Sequence, residues 1–276
     1  VTIHEVGHQF FYGILASNEF EEAWLDEGLN TYCEAAIADS LYGERSSWFA
    51  LPVLRGGDAG YYWRRSFLRT PALDAVVQPA WRYASPDSYG AMTYAKPLFL
   101  LRTLEQIIGR DKLLAGLRHY FQTWKFRHPT SRDLAAALRE STGQDLDWFF
   151  RQVAYRPSRL DDAVARVVTE SLEGGQKAHH ILVVRRGDIV LPVEMIAHFH
   201  GAPPKRLFWD GQGPWKRFSV ETAHDLAWVT ISTRPLDTNY LDNSFSPSAD
   251  PRAAHKLAAV WSLLTQHFLE LWAWAL

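Results

Sequence analysis

The sequence predicts an α+β chain in three parts: a mostly helical region over residues 1–157, a small antiparallel β-sandwich over 158–248, and an amphipathic C-terminal helix over 249–276. Three observations carry that expectation. Apolar residues recur at helical spacing as far as about residue 154. The break Tyr155-Arg156-Pro157-Ser158 follows, and beyond it apolar and polar residues alternate in short runs between turn signals. From Ala253 to Leu276 the helical period returns, now rich in tryptophan. With 276 residues and 47% hydrophobic content, the chain can build one or two domains with real cores.

The elements follow in order. A helix is expected over 2–16 and a second over 25–41, stopping near Gly43. Residues 45–87, rich in aromatics and arginine, are expected to wrap near a cleft. Helices come next at 95–108 and 111–125. Another starts with Thr130 or Ser131 as N-cap and Asp133 in its first turn, and ends near Gly143. Leu146 to Ala154 forms one more.

Strands are expected at 163–169, 180–186, 189–200, 205–209, 215–221 and 226–233. Turns separate them at Gly174-Gly175, Gly187-Asp188, Gly201-Ala202-Pro203-Pro204 and Asp210-Gly211-Gln212-Gly213-Pro214. Arg186-Gly187-Asp188 reads as a hairpin turn between two apolar strands rather than as an adhesion motif. His198 and His200 share one strand face, but no third ligand lies near them in sequence. His179-His180 reads as surface. The polar residues His255, Lys256, Gln266, His267 and Glu270 argue against a spanning tail helix, which needs about 20 mostly apolar residues. Packing on the protein is the expectation there, with membrane association at an interface as the second reading.

Net charge is −2, so nothing points to nucleic acid or to an anionic surface as partner. The single cysteine, Cys33, excludes an internal disulfide and reads as a small buried side chain.

The chemistry concentrates near the start. In His4-Glu5-Val6-Gly7-His8, two histidines four apart on a helix project from one face, so both imidazoles can reach one metal ion. Glu5 is placed to act as a general base on a metal-activated water. Glu27 follows after 18 intervening residues, within Trp24-Leu25-Asp26-Glu27-Gly28-Leu29-Asn30. Two histidines and a glutamate with one open position form the donor pattern of a hydrolytic zinc site. Glu34 lies seven residues further along the same helix, where it could accept a hydrogen bond from a ligand histidine; an ordinary surface glutamate is the equal alternative.

The stretch from His4 to Glu34 resembles the zinc core of the gluzincin aminopeptidases, the aminopeptidase N-like family that includes leukotriene hydrolase. Its pattern is H-E-x-x-H, 18 residues, then Glu in a W-L-N-E-G-like segment; Asp26 stands here where Asn is usual. The resemblance implies that one Zn2+ ion is bound by His4, His8 and Glu27, with Glu5 as the base. It implies a thermolysin-like catalytic subdomain for the helical part. The family also carries a tyrosine in a Y-x-K-G-like segment and another five residues before it. Ser88 to Pro97 supplies both, which implies Tyr94 as the transition-state tyrosine and Tyr89 as its neighbour. Pro97 replaces the usual Gly; as a first-turn residue it would set Tyr94 at the mouth of a helix.

The resemblance extends through Thr130 to Phe150, and in some family members a β-sandwich also follows. It implies a zinc-dependent metallopeptidase acting on peptides, an aminopeptidase first. The family's N-terminal β-rich domain and Gly-rich exopeptidase motif precede the zinc helix and are not in this sequence. The chain is therefore expected to be the C-terminal part of a longer polypeptide, with the N-terminal part of the same polypeptide as its partner. On the residues present, an endopeptidase on the same zinc core, or a truncated zinc-binding scaffold without activity, remain alternatives. Compartment is not legible.

Overall fold

The computed structural model describes residues 1–43, 59–248 and 251–275; among these, helices predominate up to residue 153 and the first strand starts at residue 162. The helices are α1 (Thr2–Gly7), α2 (Glu19–Glu22), α3 (Trp24–Tyr42), α4 (Ala59–Arg69), α5 (Pro86–Gly90), α6 (Lys96–Ile108), α7 (Arg110–Trp124), α8 (Ser131–Thr142) and α9 (Asp147–Val153). A π-helical turn, Ala91–Ala95, joins α5 to α6. Of the segment expected to wrap near a cleft, residues 44–58 lie outside the described residues, and α4 does border the cleft.

Most boundaries sit where local chemistry puts them. Helix α3 stops at Gly43 and α8 at Gly143, which takes the left-handed conformation that ends a helix. Thr130 and Asp133 form a reciprocal cap at the start of α8. Trp24 is fully buried at the start of α3, and its indole N–H donates to Ser131 Oγ at 2.8 Å.

The first helix is shorter than expected. It ends at Gly7, although helical dihedrals continue through His8. Beyond it, Ala16 N–H donates to Arg127 O and Phe126 N–H to Ile14 O. These long-range bonds claim the backbone that a longer helix would need, and Tyr12 turns to φ 79° to meet them.

Tyr94 does not sit at a helix mouth, because helix runs on either side of it. Pro97 has no N–H to give to Thr93 O, and its ring would crowd that carbonyl in a regular helix. The turn ahead of it opens instead, with Lys96 N–H reaching back five residues to Ala91 O.

Among the described residues, seven strands form two antiparallel sheets, in the orders β1-β2-β5 and β4-β3-β6-β7. They are β1 (Asp162–Ser171), β2 (Lys177–Arg185), β3 (Val193–Phe199), β4 (Ala202–Trp209), β5 (Trp215–Thr222), β6 (Leu226–Ile231) and β7 (Ser244–Phe245). Val164, Ile181, Val183, Met195, Ala197, Val220, Val229 and Ile231 are among the residues that fill the space between them. Four corrections follow. Arg186-Gly187-Asp188 is no hairpin turn: β2 and β3 lie in different sheets, and Arg186 and Gly187 donate to Asp161 O. Pro203 and Pro204 belong to β4, where an edge strand spares their missing N–H groups. Ile189 and Leu191, expected in a strand, are buried in the helical core. His179 is fully buried rather than surface, bonded to Thr169 Oγ1 at 2.8 Å and His224 O at 3.0 Å.

The tail helix α10 (Arg252–Ala275) also departs from expectation. Instead of packing on the protein, it leaves Leu257, Trp261, Phe268, Leu271 and Trp272 exposed. No helix among the described residues is long and apolar enough to cross a membrane. Cys33 is partly buried against the helical core, and burial pushes its thiol up to about 11.

Helix α3 is the spine of the helical part, and two glycines set how closely its neighbours approach. A methyl group at Gly28 would lie 2.5 Å from Pro97 Cβ and 2.9 Å from Thr93 O. A methyl group at Gly7 would lie 1.8 Å from Asn30 Oδ1. Replacing Gly28 with Ala should therefore lower stability by about 1–3 kcal/mol, the usual cost of overpacking, despite Ala's better helix propensity. Urea unfolding checks it; an unchanged or raised midpoint would contradict the packing described.

Candidate metal and active site

Helix α1 lies across α3 at Gly7, where Asn30 Nδ2 donates to His4 O at 2.7 Å. That bond holds the first turn of α1 over Glu27. The ring centroids of His4 and His8 stand 4.9 Å apart, nearly perpendicular. His4 Nε2 lies 3.1 Å and His8 Nε2 3.5 Å from Glu27 Oε2. One ligand atom from each of His4, His8 and Glu27 falls within 4.8 Å of the others, the only such grouping of three among the described residues. His198 and His200 form no such group.

The outer nitrogens are also engaged. His4 Nδ1 is 3.2 Å from Glu34 Oε2, a contact of the kind the first of the two readings of Glu34 requires. His8 Nδ1 is 2.7 Å from Asp26 Oδ1. Sequence reading registered Asp26 only as a departure from a motif. Its Oδ2 is buried, with the Glu19 carboxyl close by.

The other face of Glu27 meets the tyrosine. Tyr94 donates its phenol O–H to Glu27 Oε1 at 2.5 Å. Its ring stacks on Trp63 of α4, 5.7 Å away and 7° from parallel. It also faces the His4 ring at 6.0 Å. Tyr89 packs edge-on against Tyr94 at 6.5 Å. Trp63 escaped sequence reading, because nothing local marks one aromatic among many as a stacking partner. A cavity of about 440 Å³ opens here, lined by His4, Glu5, His8, Glu27, Glu34, Tyr62, Trp63 and Tyr94, with Val1 at its edge. Glu5 is exposed to it and its carboxylate has no partner among the described residues.

Charge follows the geometry. Hydrogen bonds to Glu27 and Glu34 outweigh burial and raise His4 to about 9. Burial would raise Glu27, but hydrogen bonds from His4 and Tyr94 and the charge of His8 hold it below the usual carboxylate range. The hydrogen bond from His4 lowers Glu34. Burial and the nearby carboxyls of Glu19 and Glu27 push Asp26 up to about 9. Burial and the Glu27 carboxylate lift the Tyr94 phenol well above the usual tyrosine range.

The donor set fits a zinc ion. Two imidazole nitrogens and one carboxylate oxygen converge, and both imidazoles are oriented by carboxyls on their far side. A zinc ion held by such a set would have room for a water or substrate ligand.

The chain is similar to several known proteins. Leucine aminopeptidase 2 of Emericella nidulans is 26% identical over 187 residues, 62% of this chain and 29% of its own length. Aminopeptidase N of Lactococcus lactis subsp. lactis is 25% identical over 186 residues, 66% of this chain and 21% of its own. The chain thus spans about a fifth to a third of the curated relatives it matches. The crystal structure of Legionella pneumophila aminopeptidase A in complex with aspartic acid superposes with a TM-score of 0.54 at 18% identity, over 86% of this chain and 26% of that one, and shares the fold. The description Peptidase family M1 domain matches residues 1–153, more than half of the chain, and the chain therefore belongs to peptidase family M1.

Proposed function

We propose that this chain supplies the zinc-binding and catalytic portion of a metallopeptidase that removes N-terminal residues from peptides. One observation carries the reading: His4, His8 and Glu27 converge on a point beside a cavity that also holds Glu5 and the Tyr94 hydroxyl. Aminopeptidase specificity is supported by the names of its relatives, leucine aminopeptidase and aminopeptidase N.

His4, His8 and Glu27 would hold zinc, which when bound supplies Lewis acidity and lowers the pKa of its water to about 7. Glu5, exposed to the cavity, takes a proton from the attacking water and returns it to the leaving amine. The Tyr94 hydroxyl stays protonated at neutral pH and donates to the oxyanion that develops on the scissile carbonyl. Glu34 and Asp26 keep the two imidazoles turned toward the metal position. Membrane association is a further reading that the exposed face of α10 leaves open to test by vesicle sedimentation.

Glu5→Gln should keep zinc and abolish turnover. Tyr94→Phe should keep zinc and lose on the order of a hundredfold in kcat. Metal analysis beside an assay on leucyl and N-blocked substrates, in the longest natural polypeptide, checks both; a Glu5→Gln protein as active as its parent would sink the mechanism, and equal cleavage of blocked peptides would sink exopeptidase specificity.

Asp26→Ala should weaken zinc by roughly 10–100-fold, as loss of such a supporting contact does elsewhere. Chelator competition reads it, and an unchanged affinity would remove Asp26 from the site's support.

A pH effect follows as well. His4 is protonated at pH 7 without metal, since its folded value is about 9, so zinc uptake must release at least one proton. Calorimetry in two buffers of different ionisation enthalpy counts that proton. Because the folded value lies above the unfolded one, the pairing stabilises the zinc-free chain fully below about pH 6.5 and is lost as pH rises through about 9. Flat zinc-free stability across that window would contradict the pairing.

A further inference from the structure

The β-sandwich meets α4, which carries Trp63, and α6, which continues from the turn bearing Tyr94, through the short segment 234–237 and the Tyr240 ring just beyond it. Arg64 of α4 donates from Nη1 to Pro235 O at 2.9 Å and from Nη2 to Asp237 O. Its guanidinium lies 3.9 Å from the Tyr240 ring centroid, with Phe67 and Phe99 at 5.8 and 5.9 Å. Between those two carbonyls, Leu236 N–H donates to Thr103 Oγ1 of α6 at 3.1 Å, and the Leu236 side chain is fully buried in the helical core. One tripeptide therefore grips α4 and α6 at once. Close by, Lys96 Nζ donates to Ser158 O at 2.7 Å, tying the residue two beyond Tyr94 to the segment that leads into β1.

No carboxylate pairs with Arg64 among the described residues; carbonyl oxygens and aromatic faces hold its charge. A planar fork on two fixed carbonyls restrains rotation of the helix that bears it, which a purely apolar contact does not do. Trp63 is the preceding residue on that helix. Side chains sit about 5–6 Å from a helix axis, so turning α4 by about 10° displaces the indole by about 1 Å. A misplacement of that size near the reacting groups is enough to cost about a hundredfold in rate.

We infer that Arg64 and the 234–237 segment are positioning elements for the tyrosine: the sandwich, gripping α4 and α6 together, holds Trp63 flat against Tyr94 and so aims its hydroxyl at the metal position. The inference deepens the proposed function and rests on Tyr94 serving there as the oxyanion donor. The stack itself can be read without substrate, so the two can fail separately.

The test is Arg64→Met in the full chain, with Trp63→Leu marking the near-ultraviolet circular dichroism that the stack contributes. Arg64→Met should lose at least half of that signal while far-ultraviolet dichroism and zinc content stay at parental values, and Arg64→Lys, which keeps the charge but not the planar fork, should recover only a minor part of it. Arg102→Met, which breaks the ion pair with Asp39 elsewhere in the helical part, controls for stability loss alone and should keep the signal. If Arg64→Met does not fold, Tyr240→Leu removes the ring over the guanidinium and should reduce the signal in the same direction. In polypeptide that hydrolyses peptides, Arg64→Met should lower kcat about 10–100-fold with KM within twofold. A full stack signal in folded Arg64→Met, an equal loss in Arg102→Met, or a change confined to KM would overturn the inference. Absence of hydrolysis in the parent would overturn the proposed function and leave the dichroism comparison to decide this one.

Discussion

Contact-distance packing on both sides of α3 is the constraint from which the site follows. Glu27 has one oxygen turned to two imidazoles and the other to a phenol, and those partners come from chain segments more than eighty residues apart. They can meet on one carboxylate only because α1 crosses at Gly7 and the π-helical turn crosses at Gly28. A side chain at Gly7 would displace the Asn30 amide that bonds His4 O, and one at Gly28 would force Pro97 or the Thr93 carbonyl to shift. The geometry of the candidate site thus depends on two positions that bear no chemistry of their own.

The electrostatics reinforce the same geometry. Glu5, Asp26, Glu27 and Glu34 crowd around two imidazoles in a partly dry cleft. Hydrogen bonds to Glu27 and Glu34 raise His4, and burial with the neighbouring carboxyls raises Asp26, so that protons sit among the carboxyls. Protons there act as substitutes for a divalent cation. The surplus of negative charge is a cost for folding without metal, and it becomes complementary once a cation is held.

Sequence reading went far where the signal was local. Histidines at i and i+4, Gly43 and Gly143 as helix stops, and the Thr130–Asp133 cap are each decided within a few residues, and the structure has them where they were expected. It fell short where distant chain segments compete. Helix α1 is cut at Gly7 by backbone bonds to residues 126 and 127, which no window of sequence contains. Asp26 was visible only as an unusual letter, since its meaning lies in the distance to His8 Nδ1. Trp63 and Arg64 read as ordinary members of an aromatic, basic stretch until tertiary packing set one on Tyr94 and the other on the sandwich. Arg186 to Asp188 had the composition of a hairpin, but the sheet order sends the chain across to the opposite layer.

The wide turn at Ala91–Ala95 amounts to one extra residue lodged in an otherwise continuous helical rod. In a regular helix each residue turns the chain by about 100°, so the rod leaves that turn out of phase with the way it entered. Its two ends can thus satisfy two unrelated interiors: Ser88 bonds Asp74 on one side, while Leu98, Leu100, Leu101 and Leu104 face the helical core on the other. Tyr94 sits at the phase change itself. Shortening the rod by a single residue there would restore a smooth spiral, and in doing so would unscrew the tyrosine from the cleft or the leucines from the core.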